Sequence, residues 1–341
     1  MKLGISVNTS KESRKGQVSL VLLENLSWIL IIAFYVVFAV LRPTGMLKGS
    51  TLVFIVYSAL PLGFLVFGEG IILINGRIDL SIAQIAGFTA MLSAMITTKW
   101  APFIGPPFDV LLTLAIGGAC GLINGFTVGV LGLNPFLATM GTFIAFDGAT
   151  LLLQSFPVYE GFSPFFLAIG GVDYISIPIA VAILVILQII LTKTPFGKHV
   201  YAVGGSPESA RMLGINPNRM YFIVYVLSGV FAGFSAIFYT GFLHAVPPAL
   251  ADGNVFLAFA GAIIGGISLD GGRGSMVNAF AGVIFLGVIE AGLSMFNVSP
   301  YLRKVINGLL VILAILINRY RNNMRDKILV PKSSDAGGGD D

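Results

Sequence analysis

Four acidic residues stand where acidic residues are costly. Glu69, Asp147 and Glu290 interrupt long apolar runs, and Asp79 sits in a polar break, 75–81, that reads NGRIDLS. A carboxylate at the centre of a membrane span costs about 2.5–3.5 kcal/mol or more, so it should face the protein interior or a wet cavity and mark a pathway. Each could equally be a protonated carboxyl bonded to a helix carbonyl. A second break, 269–275, reads LDGGRGS and again puts Asp, Arg, Gly and Ser together. Such breaks are either tight turns with local ion pairs or interrupted helices whose freed backbone faces a water-filled path. A third break, 133–136, opens a span carrying Thr139, Thr142 and Asp147. The two threonines are three apart and share a face, which Phe146 joins one turn later. Asp79, Ser81, Asn134, Thr139, Thr142, Asp147 and Glu290 are therefore the expected substrate path.

The remaining chemistry is thin. His199 and His244, the only histidines, lie in different loops, and no HExxH pattern exists. Gly197-Lys198 is followed by His199 and has Thr192 where a phosphate loop needs its first glycine. Cys120 is the single cysteine, which excludes an internal disulfide. We expect no catalytic residue, no metal site and no cofactor bound by this chain. The charge of +4 comes from basic residues at segment ends and is no nucleic-acid signal.

These residues must be positioned by membrane spans. The chain is 56% apolar and 11% charged, against roughly 25% charged in soluble domains, and has 42 glycines, as expected where helices pack closely in lipid. The pattern predicts an all-α, polytopic integral membrane protein. At about 20 residues per span, ten segments fall near 21–41, 51–75, 81–97, 109–132, 134–154, 174–191, 221–243, 253–269, 275–298 and 301–318. Residues 1–19 form a basic tail, 20–320 a transmembrane domain, and 321–341 a polar tail expected to be disordered. With the N-terminus inside, fifteen of the 20 Lys and Arg fall on the cytoplasmic side and five outside, so both termini and the loop 192–220 should be cytoplasmic. An inverted repeat of spans 2–5 and 7–10 is suggested by Gly121 leading to Asn134-Pro135 and Gly287 leading to Ser299-Pro300. Chance similarity between glycine-rich helices explains so short a match equally well.

The loop 192–220 is the one long polar interval between spans, and it carries a marked helix. Ser206 is an N-cap, Pro207 suits the first helical position, Glu208 favours the positive end of the dipole, and Gly214 supplies the stop. Ala210, Arg211 and Leu213 are helix formers between them. The helix is either an ordinary cytoplasmic loop element or a docking helix that takes force from a soluble partner.

The motifs together resemble a known family, the permease subunits of bacterial ABC importers for monosaccharides of the ribose, galactose and arabinose type. The similarity covers roughly residues 50–320 and is carried by 78–81, 134–142, 196–216 and 265–275. It implies a bacterial inner-membrane location and a second permease copy, identical or paralogous. It also implies ATPase subunits holding ATP and Mg, and an extracytoplasmic sugar-binding protein. In that family the loop after span 6 carries the coupling helix, here Ser206–Gly214. The chain departs from the family pattern at Arg77, Ala83, Leu257, Ile267 and Glu290. The implied function is import of a neutral pentose or hexose. A nucleoside or furanosyl signal molecule, a proton-coupled carrier using Asp147 and Glu290, and a membrane enzyme are the alternatives.

Overall fold

The computed structural model describes residues 25–329, with side chains to residue 324. The predicted tail 1–19 and the end of the predicted C-terminal tail lie outside these residues. Every regular element described is helical, and the one extended pairing is an isolated bridge between Val158 and Val246. In chain order these are α1 (Leu26–Leu41), α2 (Pro43–Met46), α3 (Gly49–Ile74), α4 (Ile82–Met95) with a π-helical end Ile96–Trp100, and α5 (Phe108–Gly125) with a π-helical end Phe126–Val130. There follow α6 (Pro135–Leu153), α7 (Pro164–Gly171), α8 (Asp173–Lys193), α9 (Pro195–Gly205) and α10 (Pro207–Met212). The last four are α11 (Pro217–Leu243), α12 (Asn254–Ile264), α13 (Met276–Met295) and α14 (Pro300–Leu329).

A helix lies at each of the ten predicted positions, but among the described residues seven are long and apolar enough to cross a membrane: α3, α5, α6, α8, α11, α13 and α14. The clearest shortfall is α12. Its 11 residues reach about 16 Å, half of the ~30 Å hydrocarbon layer. At the other end α14 continues through Leu329, so the predicted tail begins as helix rather than at residue 321.

The centre of the bundle is α3 and α11. Phe64 of α3 meets Phe234 and Phe238 of α11 at ring-centroid distances of 5.4 and 4.5 Å. The closest seam joins α5 to α11. Gly117, Gly121, Gly125 and Gly129 recur every four residues on one face, and a Cβ on any of them would lie within 3.0 Å of the α11 backbone. Small residues at this spacing let two backbones touch, which is how helices associate in lipid, where no hydrophobic drive separates helix from tail. By contrast α6 and α14 bury only 17% and 11% of their apolar windows, so their outer faces must meet lipid or another chain.

The long helix α3 stops because the backbone turns left-handed at Gly76 (φ +74°). The Gly76 N–H donates to Leu73 O and the Arg77 N–H to Ile72 O, a cap that glycine accepts without a Cβ penalty. The same bonds close α12, where Gly266 donates to Ile263 O and Ile267 to Ala262 O. Two polar breaks, 75–81 and 265–275, thus begin at equivalent caps.

Candidate functional site

The first break is held by a buried polar group. Asp79 Oδ1 accepts from the Ser81 N–H (2.8 Å) and the Ser81 hydroxyl (2.6 Å). Asn124 of α5 donates to Ser81 Oγ (2.7 Å), and the Thr142 hydroxyl of α6 donates to Asn124 Oδ1 (2.8 Å). Thr139 accepts the Leu80 N–H (3.1 Å), Tyr225 of α11 donates to Ile78 O (2.7 Å), and Glu69 lies against the Asp79 N–H (3.4 Å). Asp79, Ser81, Asn124 and Thr139 are at most 1% exposed. Buried polar groups must be paired, and this network satisfies the freed backbone while tying α4, α5, α6 and α11 to one loop. It holds the break and presents no open surface.

The predicted single-helix loop 192–220 contains two helices. Thr194 caps α9 by accepting the Gly197 N–H (3.3 Å), with Pro195 at the first helical position. Val200, Val203 and Gly204 face inward. This helix is wedged against both breaks. Asn75 donates to Val200 O (3.1 Å), and the Tyr201 hydroxyl donates to Gly274 O (2.8 Å). Burial raises the Tyr201 hydroxyl above its usual range, which keeps it a donor. The Gly272 N–H donates to Ile74 O (2.8 Å). Gly204 sits directly on that bond, and a Cβ there would lie 2.7 Å from Gly272 N and overlap Ile74 O.

From this root the chain passes straight into α10. Ser206 Oγ accepts the Ser209 N–H (3.2 Å), Pro207 opens the helix, and Gly214 takes φ +80° after Leu213. Glu208 and Arg211 are exposed, as are Met212 (89%) and Leu213 (77%). Ala210 is different. It is 1% exposed and faces the protein's own interior, so it seats α10 and takes no part in an outward docking face.

A second polar group is open. Gln84, in the first turn of α4, donates through Nε2 to Asp252 Oδ1 (3.3 Å), just before α12. The negative charge of Asp147 and the positive charge of Lys304 both act on the Asp252 carboxyl. Asp147 and Asp252 are both exposed. Beside them Phe88 and Phe146 pack at 5.3 Å.

Of the predicted path residues, Asp79, Ser81, Thr139 and Thr142 come together. Asn134 caps α6, its Oδ1 accepting the Phe136 N–H (3.0 Å) in an exposed position. Asp147 is exposed on α6, and Glu290 is ion-paired with Arg303, which also donates to Ser294 Oγ (3.0 Å). Sequence reasoning missed Asn124, Tyr225, Gln84 and Asp252. The Asp252-Gly253 pair before an apolar run was the visible signal for the last. Where the chain departs from the family pattern, Arg77 stacks 3.9 Å over Tyr221, while Ala83 and Ile267 are fully buried.

Comparison with known proteins follows the same lines. Residues 51–315 match the family described as "Branched-chain amino acid transport system / permease component". The ribose import permease protein of Bacillus subtilis is 29% identical over 270 residues, 76% of this chain and 82% of that one. The galactose/methyl galactoside import permease protein of Haemophilus influenzae is 34% identical over 268 residues, 72% and 80% of the two chains. The D-allose transport system permease protein of Escherichia coli is 34% identical over 257 residues, 74% and 78%. No solved structure matches.

Proposed function

The chain belongs to the permease-component family of the branched-chain amino acid transport system, and on that premise we propose that it is the membrane-spanning subunit of an ATP-driven importer of a neutral pentose or hexose. The relatives named for ribose, galactose and allose favour a sugar over an amino acid. In this reading the chain crosses the membrane ten times with both termini in the cytoplasm, pairs with a second permease copy, and binds no ATP itself. A partner ATPase hydrolyses ATP, and an extracytoplasmic binding protein delivers the sugar.

One observation carries the mechanism. The arm α9–α10 is rooted between the two helix breaks and ends in a capped helix with Met212 and Leu213 exposed. A six-residue helix is unstable alone, and its exposed apolar tip fits a cleft in a soluble partner. Displacing that tip moves α9, and α9 bears on both breaks through Asn75, Tyr201 and Gly204. The breaks hold the starts of α4 and α13, so a push at the arm reorients these helices and exchanges outward for inward access.

Reconstitution with the ATPase and binding protein tests the reading. Vesicles should accumulate D-ribose, D-galactose or D-allose only with ATP. Accumulation driven by a proton gradient without the ATPase would replace the importer with a proton-coupled carrier. Orientation is checked by labelling Ser206→Cys in a Cys120→Ala background. Reaction with an impermeant reagent outside intact cells would reverse the assigned topology.

A further inference from the structure

We propose that Gln84, Asp252 and Asp147 form a sugar-binding subsite on the translocation path, one that selects neutral polyhydroxyl solutes by offering hydrogen-bond acceptors. The proposal rests on the transport reading above and adds to it a location and a selection rule.

The starting point is the short helix α12. It cannot cross the hydrocarbon layer, so the irregular chain before it, 244–253, must descend toward the middle of the bundle. Irregular backbone survives at that depth only where protein buries it or water reaches it. Ala245, Val246, Leu250 and Ala251 are buried, whereas Ala249, Asp252 and Gly253 are exposed. The exposed side of this segment therefore faces a wet passage rather than lipid. Gln84 fixes the depth from the other side. It begins α4, one residue turn beyond the break that meets α9, and it grips Asp252 across 168 positions of sequence.

The chemistry presented there is one-sided. Gln84 is 7% exposed; its nitrogen is committed to Asp252, and its Oε1 has no partner among the described residues. Its amide is thus pinned against Asp252, with Oε1 buried and unpaired beside the carboxylate. Asp252 and Asp147 each add a carboxylate, which accepts from hydroxyls in strong charge-assisted bonds. Neutral sugars carry several O–H donors and fit this set. Phosphorylated sugars and uronates bring negative charge toward two carboxylates and are repelled, with Lys304 opposing that charge at Asp252. Phe88, one helical turn from Gln84, is half-buried and packs on the buried Phe146, next to Asp147, leaving one partly open ring for the C–H face of a sugar. Few polar groups against an aromatic wall is the usual composition of a small-molecule site.

The test uses the complete importer in lipid vesicles, with radiolabelled D-ribose, D-galactose and D-allose as probes. Uptake and ATP hydrolysis stimulated by the loaded binding protein are measured together. Asp252→Asn and Asp147→Asn should each lower uptake about tenfold, the loss of one charge-assisted bond, while stimulated hydrolysis persists. Asp252→Glu, which keeps the acceptor, should recover uptake. Uptake unchanged in both Asn variants overturns the subsite. Uptake and hydrolysis falling in parallel, without rescue by Asp252→Glu, assigns these residues a structural role and also overturns it. A wild-type importer that moves none of the three sugars removes the transport reading, and the subsite with it.

Discussion

Replacing Gly204 by alanine puts the coupling arm under a load that can be worked out from its surroundings. The new Cβ would overlap Ile74 O and lie 2.7 Å from Gly272 N, the two atoms that share a hydrogen bond of 2.8 Å. Both neighbours are backbone, so neither can swing aside. Overpacking of this kind costs about 1–3 kcal/mol, and a broken buried backbone bond adds about 1–3 kcal/mol. Moving α9 away from the breaks relieves the load, and the cost then appears as loss of the junction. Even ~2 kcal/mol shifts the balance between seated and unseated arm by roughly 30-fold. Gly205 is the internal control, because an added Cβ there meets nothing within 4 Å. Sugar uptake and stimulated ATP hydrolysis by the purified complex in lipid are the assay. Gly204→Ala should lose about tenfold or more in uptake, and Gly205→Ala should stay within about twofold of wild type. Equal uptake in the two variants would refute the claim that α9 transmits force through this contact.

Two further outcomes are expected. Met212→Asp, at an exposed position, should leave membrane insertion intact and abolish co-purification with the ATPase; Ala210→Arg should instead destabilise the permease itself, since that side chain is buried. Asn124→Leu strips partners from Ser81, Asp79 and Thr142 and should cost about 2–4 kcal/mol, seen as a lower melting temperature of the permease in detergent.

What could be read from the sequence was what periodicity and local chemistry encode. Long apolar runs located the helices, and Ser206-Pro207 with Gly214 delimited α10 to within two residues. The same rules contained α9, since Thr194-Pro195 is as good a start as Ser206-Pro207. Gly197, Gly204 and Gly205 obscured it, because glycine lowers helix propensity and the close approach that Gly204 serves, to Ile74 and Gly272, is to segments distant in sequence. Thr139 and Thr142 were found because they share a helix face. Asn124 and Gln84 were not, because their partners lie in other elements and a lone amide in an apolar run has no local signature. Asp147 and Asp252 illustrate the same limit: each is an ordinary acid until the fold lets Gln84 bond Asp252 and the charge of Asp147 act on it.

The glycine seam between α5 and α11 also bears on how the protein is made. The four bare turns of α5 enter the membrane first, and their matching surface on α11 is synthesised roughly 100 residues later, ~5–20 s at ordinary elongation rates. During that interval α5 exposes a strip of naked backbone to lipid, the surface to which any passing small-residue helix would adhere. Of the spans made in between, α8 carries bulky Val and Ile on its outer face, whereas α6 leaves Gly141, Ala145 and Gly148 open on its own. Correct assembly therefore depends on α11 outcompeting the open glycines of α6 for that strip, and a Gly-x-x-x-Gly pair introduced into α8 should add a second competitor that traps the nascent chain in a wrong helix pairing before α11 is made.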